Sequence, residues 1–196
     1  MPTFRLERQL AFIRELDLLK HVLRRTRVPG SERLENAAEH SWHAAMVAVA
    51  LVEHADTAVD LGRVVRMLLI HDVVEIDAGD TFLYDEAGAA GQAEREQRAA
   101  QRLFGLLPDD QAAELRTLWD EFEAGATPDA GYARAIDRLV PILLNFATGG
   151  AGWREHGVRS ADVLARNAGI AQGSAKLWAY TQGLVADAVA KGYLAS

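Results

Sequence analysis

The chain has 196 residues, with 28 acidic against 21 basic side chains for a net charge of −7, 49% hydrophobic residues and no cysteine. That length and apolar content suit one domain with a real core and argue against disorder. Without cysteine there is no disulfide, no thiolate nucleophile and no Cys-type zinc or iron–sulfur site, so any metal must be held by nitrogen and oxygen ligands.

The acidic balance argues against a duplex nucleic-acid partner, because that affinity comes mostly from clustered Lys and Arg. A small anionic substrate stays open where something local reverses the field. Met1 to Arg8 is charged and leads into no long apolar stretch, and no window approaches about eighteen uninterrupted apolar residues. The chain therefore reads as soluble and untargeted, with no membrane partner, and it fits the cytoplasm.

Five prolines and bursts of glycine punctuate long alanine- and leucine-rich segments, the pattern of an all-α domain with strand signals nearly absent. A first helix is expected from about Thr3 to Arg25, with Leu10, Ile13, Leu16 and Leu19 at helical spacing, ending in Arg24, Arg25 and Arg27 before Pro29-Gly30. A second should run from near Ala37 to His54, with Trp42, Met46, Val49 and Val52 recurring every three or four residues. Asp60 reads as the N-cap of a third, which passes through Val64, Leu68 and Ile70 to His71.

Ala87 to Phe104 reads as a charged amphipathic helix with a solvated face, and Pro108 starts another that runs to about Glu123. Thr127-Pro128-Asp129 restarts the chain into an apolar helix, Ala133 to Ala147, before the break Gly149 to Gly152. The last segment, about 160–194, holds one or two helices ending at Lys191-Gly192. The expectation is one domain over 1–196, a helical bundle of about seven or eight helices.

Chemistry is sought where polar residues interrupt apolar helical runs, because a buried charge without a partner is costly. The run Val64 to Ile70 ends in His71-Asp72, with Glu75 one turn on. If the helix persists, His71 and Glu75 are i,i+4 neighbours and Asp72 and Glu75 are i,i+3 neighbours. Asp137 lies in an otherwise apolar segment, and Pro141 cannot donate a hydrogen bond to its carbonyl, so a kink is expected there. Of six histidines, His40 and His43 share a helix face, while His21, His54 and His156 have no carboxylate pattern beside them.

Taken singly, these signals are open. A His-Asp dipeptide also suits a histidine at a helix C-terminus, where the dipole favours its charge, and Asp137 also suits a surface pair with Arg134 or Arg138. The chain has no H-E-x-x-H, no histidine with Glu three residues before it, no G-x-S-x-G and no P-loop.

The ordered set His40, His71-Asp72 and Asp137 resembles the H…HD…D pattern of the HD-domain metal-dependent phosphohydrolases. Arg33 to Ser41 (RLENAAEHS) resembles the R-x-E-N-x-x-E-H-S segment of the YfbR-like 5′-deoxynucleotidase branch, and His71 to Asp80 resembles its HD-x-x-E-x-x-x-GD segment. The resemblance runs from the first helix to about Asn145 and implies an HD-domain fold with its metal-site core at about 31–147 and a C-terminal helical extension. It implies His40, His71, Asp72 and Asp137 as metal ligands, Glu75 as the catalytic carboxylate, and Asp80 as an acidic residue near the nucleotide or its leaving oxygen. It also implies a phosphate-binding arginine from the end of the first helix, Arg24 or Arg25, with Arg25 preferred. The aromatic residue that usually follows is replaced by Thr26. The C-terminal third, including Trp153 to Gly157, matches no part of the motif set.

Two neutral imidazoles and two carboxylates balance one divalent ion, for which Mn, Co, Fe, Mg and Zn all suit nitrogen and oxygen ligands. Glu75, surplus to the four ligands, can take the proton of the attacking water or give one to the leaving 5′-oxygen. The expected function is hydrolysis of a (deoxy)nucleoside 5′-monophosphate, or another small phosphomonoester, to an alcohol and phosphate. The alternatives are phosphodiester or nucleoside-triphosphate hydrolysis on the same scaffold, or a metal-binding helical interaction protein without turnover. The resemblance is also compatible with a homodimer, although the chain reveals no seam.

Overall fold

A computed structural model of the chain describes the backbone of residues 2–196 and the side chains of 4–85 and 88–196. The first helix, α1 (Pro2–Leu16), stops well before Arg25; a 3-10 turn (Asp17–His21) follows, and then a strand. That strand, β1 (Leu23–Arg27), pairs antiparallel with β2 (Leu34–Asn36), Leu23 opposite Asn36 and Arg27 opposite Leu34. The expected helical end is therefore half of a small hairpin. Val22, Thr26 and Val28 are β-branched residues at even spacing ahead of Pro29-Gly30, which favours this outcome over a helix.

The second helix, α2 (Ala37–Leu51), gives way to a 3-10 turn, Val52–His54. Asp60 caps α3 (Leu61–Ile70), its carboxylate accepting from the Arg63 amide. The chain then tightens into a 3-10 turn (His71–Val74) and one turn of helix, α4 (Glu75–Ala78).

The single helix expected over 87–104 is two, α5 (Glu86–Ala89) and α6 (Gln92–Phe104), because Gly91 takes φ +70° between them. The next helices are α7 (Asp109–Ala124), α8 (Pro128–Ala147, with Thr127 as N-cap) and α9 (Ala151–Glu155). The C-terminal segment holds three helices rather than one or two: α10 (Ser160–Asn167), α11 (Ile170–Gly173) and α12 (Ala175–Ala190). The all-α expectation stands, with more segments among the described residues because α4, α5 and α11 are single turns.

The long helix α8 packs against α2, α3, α7, α11 and α12. Ile136, Leu139, Met67, Leu68 and Ile170 are fully buried in this core, each contributing about 1.5–3 kcal/mol. Ala44, Ala45 and Ala48 face it from α2, and their small side chains let the helices approach. A second cluster gathers Phe12, Leu19, Val73, Val74, Leu103, Phe104 and Trp119. Met67 and Leu68 belong to the first cluster and Val73 and Val74 to the second, so the 71–74 turn spans the join between them.

The apolar stripe of α2 lies on the other side. Trp42, Met46 and Val49 are 63%, 50% and 44% exposed, while the buried face carries His40, Ser41 and the alanines. No helix among the described residues is long and apolar enough to cross a membrane.

Gly150 joins α8 to α9 with φ +77°, and a Cβ there would lie 1.9 Å from the Tyr193 carbonyl oxygen. Gly150→Ala should lower the unfolding free energy in urea by more than Gly157→Ala. The second site also has positive φ but open space around it, so it carries only backbone strain, about 1–3 kcal/mol.

Candidate metal centre

The segment around Arg33 to His40 is built to place one imidazole. Asn36 caps α2 by accepting from the Glu39 amide at 3.0 Å, while the Glu39 carboxylate accepts from the Asn36 amide at 3.2 Å. Arg33 then grips both Glu39 oxygens at 2.7 and 2.8 Å. The first turn of α2 is thus held at both ends, and His40 projects from it fully buried.

The other imidazole comes from the 3-10 turn after α3. Trp119 Nε1 donates to the His71 carbonyl at 3.2 Å, and the Phe122 ring lies 4.9 Å from the His71 ring. A 3-10 turn stacks residues i and i+3, so the structure favours the Asp72–Glu75 relation over the His71–Glu75 one. From α8, Asp137 reaches the same point. The helix remains assigned through Pro141 as far as Ala147.

The structure therefore gathers His40, His71, Asp72 and Asp137. One ligand atom from each of His40, His71 and Asp72 lies within 4.8 Å of the others. Asp137 Oδ1 is 2.8 Å from His40 Nε2 and 3.4 Å from His71 Nε2, and Asp72 Oδ1 is 3.0 Å from His71 Nε2.

The tautomers can be read from the partners. His71 Nδ1 lies 2.8 Å from the Leu68 carbonyl, which only accepts, so Nδ1 carries the proton. Nε2 of a neutral ring then presents a lone pair to two carboxylate oxygens, and it has no hydrogen-bond partner. Only a cation, a proton or a metal ion, reconciles acceptors facing acceptors. Burial lowers the His71 pKa, but Asp72 and Asp137 overcome this and hold it up at about 9. Burial likewise opposes the charge of Asp137, yet His40 and His71 keep it well below the usual carboxylate range. The donor set fits a divalent ion with nitrogen and oxygen ligands.

More charged groups crowd the edge. Arg24 Nη1 donates to Asp72 Oδ2 at 2.8 Å and lies 3.7 Å from Asp80 Oδ1. Burial and the Asp72 charge push the Glu75 carboxyl well above the usual range despite Arg24 nearby. Asp80 is also raised, by burial first, against the pull of Arg24. Arg25, the preferred phosphate residue from the sequence, is exposed and lines the same cavity, where its charge also pulls on Asp80. His43 stacks on Trp42, His54 meets Lys176 and His156 packs on Phe82, so none joins the centre.

The centre opens into a cavity of about 350 Å³. His71, Asp72, Glu75, Asp80 and Asp137 line one part of it, and Phe82, Tyr84, Asn145 and Trp153 another. Sequence reasoning missed Glu35. It is buried, with Oε2 3.7 Å from His40 Nδ1 and 3.8 Å from Arg24 Nε, all three atoms without hydrogen-bond partners. A carboxylate on the outer nitrogen of a histidine orients its inner lone pair. The available signal was its place in the R-x-E-N segment, beside the capping residue.

Residues 16–178 match the HD domain family. The chain belongs to the HD domain family, and membership implies a divalent metal ion. It is 30% identical over 135 residues to the 5′-deoxynucleotidase HDDC2 of Homo sapiens, a match covering 68% of this chain and 65% of that protein. It is 25% identical over 121 residues to the 5′-deoxynucleotidase hdd1 of Schizosaccharomyces pombe, covering 60% of each. The chain thus spans just under two thirds of the length of the human relative. A crystal structure of a predicted metal-dependent phosphohydrolase from Magnetospirillum magnetotacticum MS-1 superposes with TM-score 0.95 at 55% identity, covering 100% of this chain and 98% of that one.

The His71 shift sets a stability trend. Its pKa rises from about 6.5 unfolded to about 9 folded, so its contribution is full below the first value and lost as pH climbs through the second. In a chelator, the Tm should fall between pH 6.5 and 9. A saturating divalent ion should abolish that fall, because it replaces the proton and binds more tightly as pH rises. A flat chelated profile would contradict the assignment.

Proposed function

We propose that the chain is a single HD domain over 1–196 that hydrolyses phosphomonoesters with one divalent ion, acting on (deoxy)nucleoside 5′-monophosphates. The observation that carries this is the convergence of two imidazoles on two carboxylates beside the buried Glu75, at the wall of a cavity large enough for a small molecule. The relatives named 5′-deoxynucleotidase support the substrate class. Mn, Co, Fe, Mg and Zn all suit the ligands.

His40, His71, Asp72 and Asp137 would hold the ion, which supplies charge to polarise the phosphoryl group and acidify water. Glu75, raised by burial, gives a proton to the leaving 5′-oxygen, or in its ionised form takes one from the attacking water. Asp80 helps orient the sugar end. Arg24 holds Asp72 and Asp80 in place, and Arg25 at the cavity rim is left to fork onto phosphate oxygens. Glu75→Gln should keep the metal and lose about 10²–10⁴ in rate; an unchanged rate would remove Glu75 from proton transfer.

A second reading draws on Arg134, Arg138 and Arg166, which line the same cavity. The motif region is poor in basic side chains for extra phosphates, and the fold brings these three in. The deciding experiment strips the protein of metal, reloads it with single divalent ions and assays nucleoside mono-, di- and triphosphates and a cyclic phosphodiester. Release confined to monophosphates supports the first reading and release from triphosphates the second. No metal-dependent release from any substrate overturns both.

A cytoplasmic homodimer belongs to the same proposal, supported by the outward apolar stripe Trp42, Met46 and Val49. Trp42→Glu with Met46→Glu should convert a dimeric sedimentation profile into a monomeric one while leaving the far-UV spectrum unchanged.

A further inference from the structure

The C-terminal third, which the motif set leaves without a role, closes a second pocket. It measures about 230 Å³ and is lined by Gly131, Arg134 and Arg138 of α8, by Arg166 of α10, and by Gly169 and Gln172 just beyond it. The three arginines also border the metal cavity, so they form a wall with a space on either side. None of the described residues lining the smaller pocket is acidic.

Elsewhere the arginines of this chain are matched with carboxylates. Arg5, Arg27, Arg33 and Arg116 each donate to a carboxylate oxygen at 2.7 to 2.9 Å. Those of the pocket are held differently. Arg134 Nη1 donates to the Phe122 and Glu123 carbonyls at 3.0 and 2.9 Å, with a Glu123 carboxylate oxygen 3.9 Å away. Arg138 Nη1 donates to the Arg166 carbonyl at 2.5 Å and has no carboxylate partner among the described residues.

Each of these two side chains thereby caps the last turn of a helix, α7 or α10, where carbonyls lack partners and a cation is favoured. That task occupies one nitrogen of each. Nε and Nη2 of both make no hydrogen bond within the described residues and yet are not buried, so a solute reaches them. Anchoring by neutral carbonyls fixes the guanidinium planes without cancelling their charge. Arg134 and Arg138 are i,i+4 neighbours on α8, and like charges at that spacing repel. An anion between them relieves the repulsion.

Guanidinium forks match the oxygens of a phosphate group, and Gln172, exposed at the pocket edge, brings an amide donor. We infer that Arg134, Arg138 and Arg166, beside Gly169 and Gln172, form a second anion site that takes a phosphate group. The site lies outside the metal centre, and the inference does not need the hydrolytic reading.

The test measures binding to the metal-stripped full chain by calorimetry, with inorganic phosphate and thymidine 5′-monophosphate as separate probes. Gln172→Glu puts a carboxylate into the pocket from a position that the metal cavity does not share, and Arg138→Gln removes one fork. For at least one probe, each substitution should weaken binding about tenfold, the order expected for loss of a charge-assisted hydrogen bond. Arg25→Gln, which strikes the metal cavity alone, should not reproduce that loss. A response with inorganic phosphate assigns the pocket to the free anion, and a response with the monophosphate alone assigns it to the phosphate of a nucleotide; both sustain the inference. Gln172 is exposed, so Gln172→Glu decides the matter even where Arg138→Gln fails to fold. Binding of neither probe to the wild-type chain, or affinities that fall in Arg25→Gln and not in Gln172→Glu, overturns the second site.

Discussion

The structure depends on one electrostatic arrangement: the lone pair of His71 and the imidazole of His40 set against the carboxylates of Asp72 and Asp137 in a region mostly closed to water. Acceptors facing acceptors are unstable without positive charge between them. The fold meets the demand in layers. The middle calls for a proton or a divalent ion, Arg24 neutralises the outer oxygen of Asp72, and Glu35 lies behind both His40 and Arg24. Two helices, a 3-10 turn and both strands of the hairpin deliver these groups, so the centre is also where the two halves of the core are joined.

That arrangement explains features that otherwise look unrelated. Arg33, Asn36 and Glu39 do no chemistry; they clamp the first turn of α2 so that His40 enters at a set angle. Trp119 and Phe122 fill the space beside His71 and keep water from its ring. Several of the carboxylates behind the net charge of −7 are drawn together here rather than spread over the surface. Burial and the same crowding raise the Glu75 carboxyl, since one more negative charge beside Asp72 and Asp80 is disfavoured.

Much of the candidate site was legible residue by residue. His71-Asp72 at the end of an apolar run and Asp137 inside another are costly placements, and the structure brings all three to one point with His40. The caps at Asp60 and Thr127 were equally readable, because a short polar side chain ahead of a helical run has a local job. The stripe Trp42, Met46 and Val49 was legible as a periodic pattern, but its direction was not. Periodicity shows that a helix has two faces; here the core side is the one with alanines and His40, because close helix packing selects small side chains.

The sequence by itself determined the chemistry available to this protein. Lack of cysteine restricts the metal's shell to nitrogen and oxygen, helical periodicity and caps set most of the elements, and the spaced His, His-Asp and Asp set offers nitrogen and oxygen donors. Tertiary structure decided which neighbours take part. Arg24 rather than Arg25 grips Asp72 because the segment is a strand, on which adjacent side chains project in different directions, and pairing with β2 decides that it is one. Glu35 entered the account for the same reason. Burial and the absence of a partner are properties of a packed molecule, and no spacing along the chain reveals an acceptor left waiting for a donor.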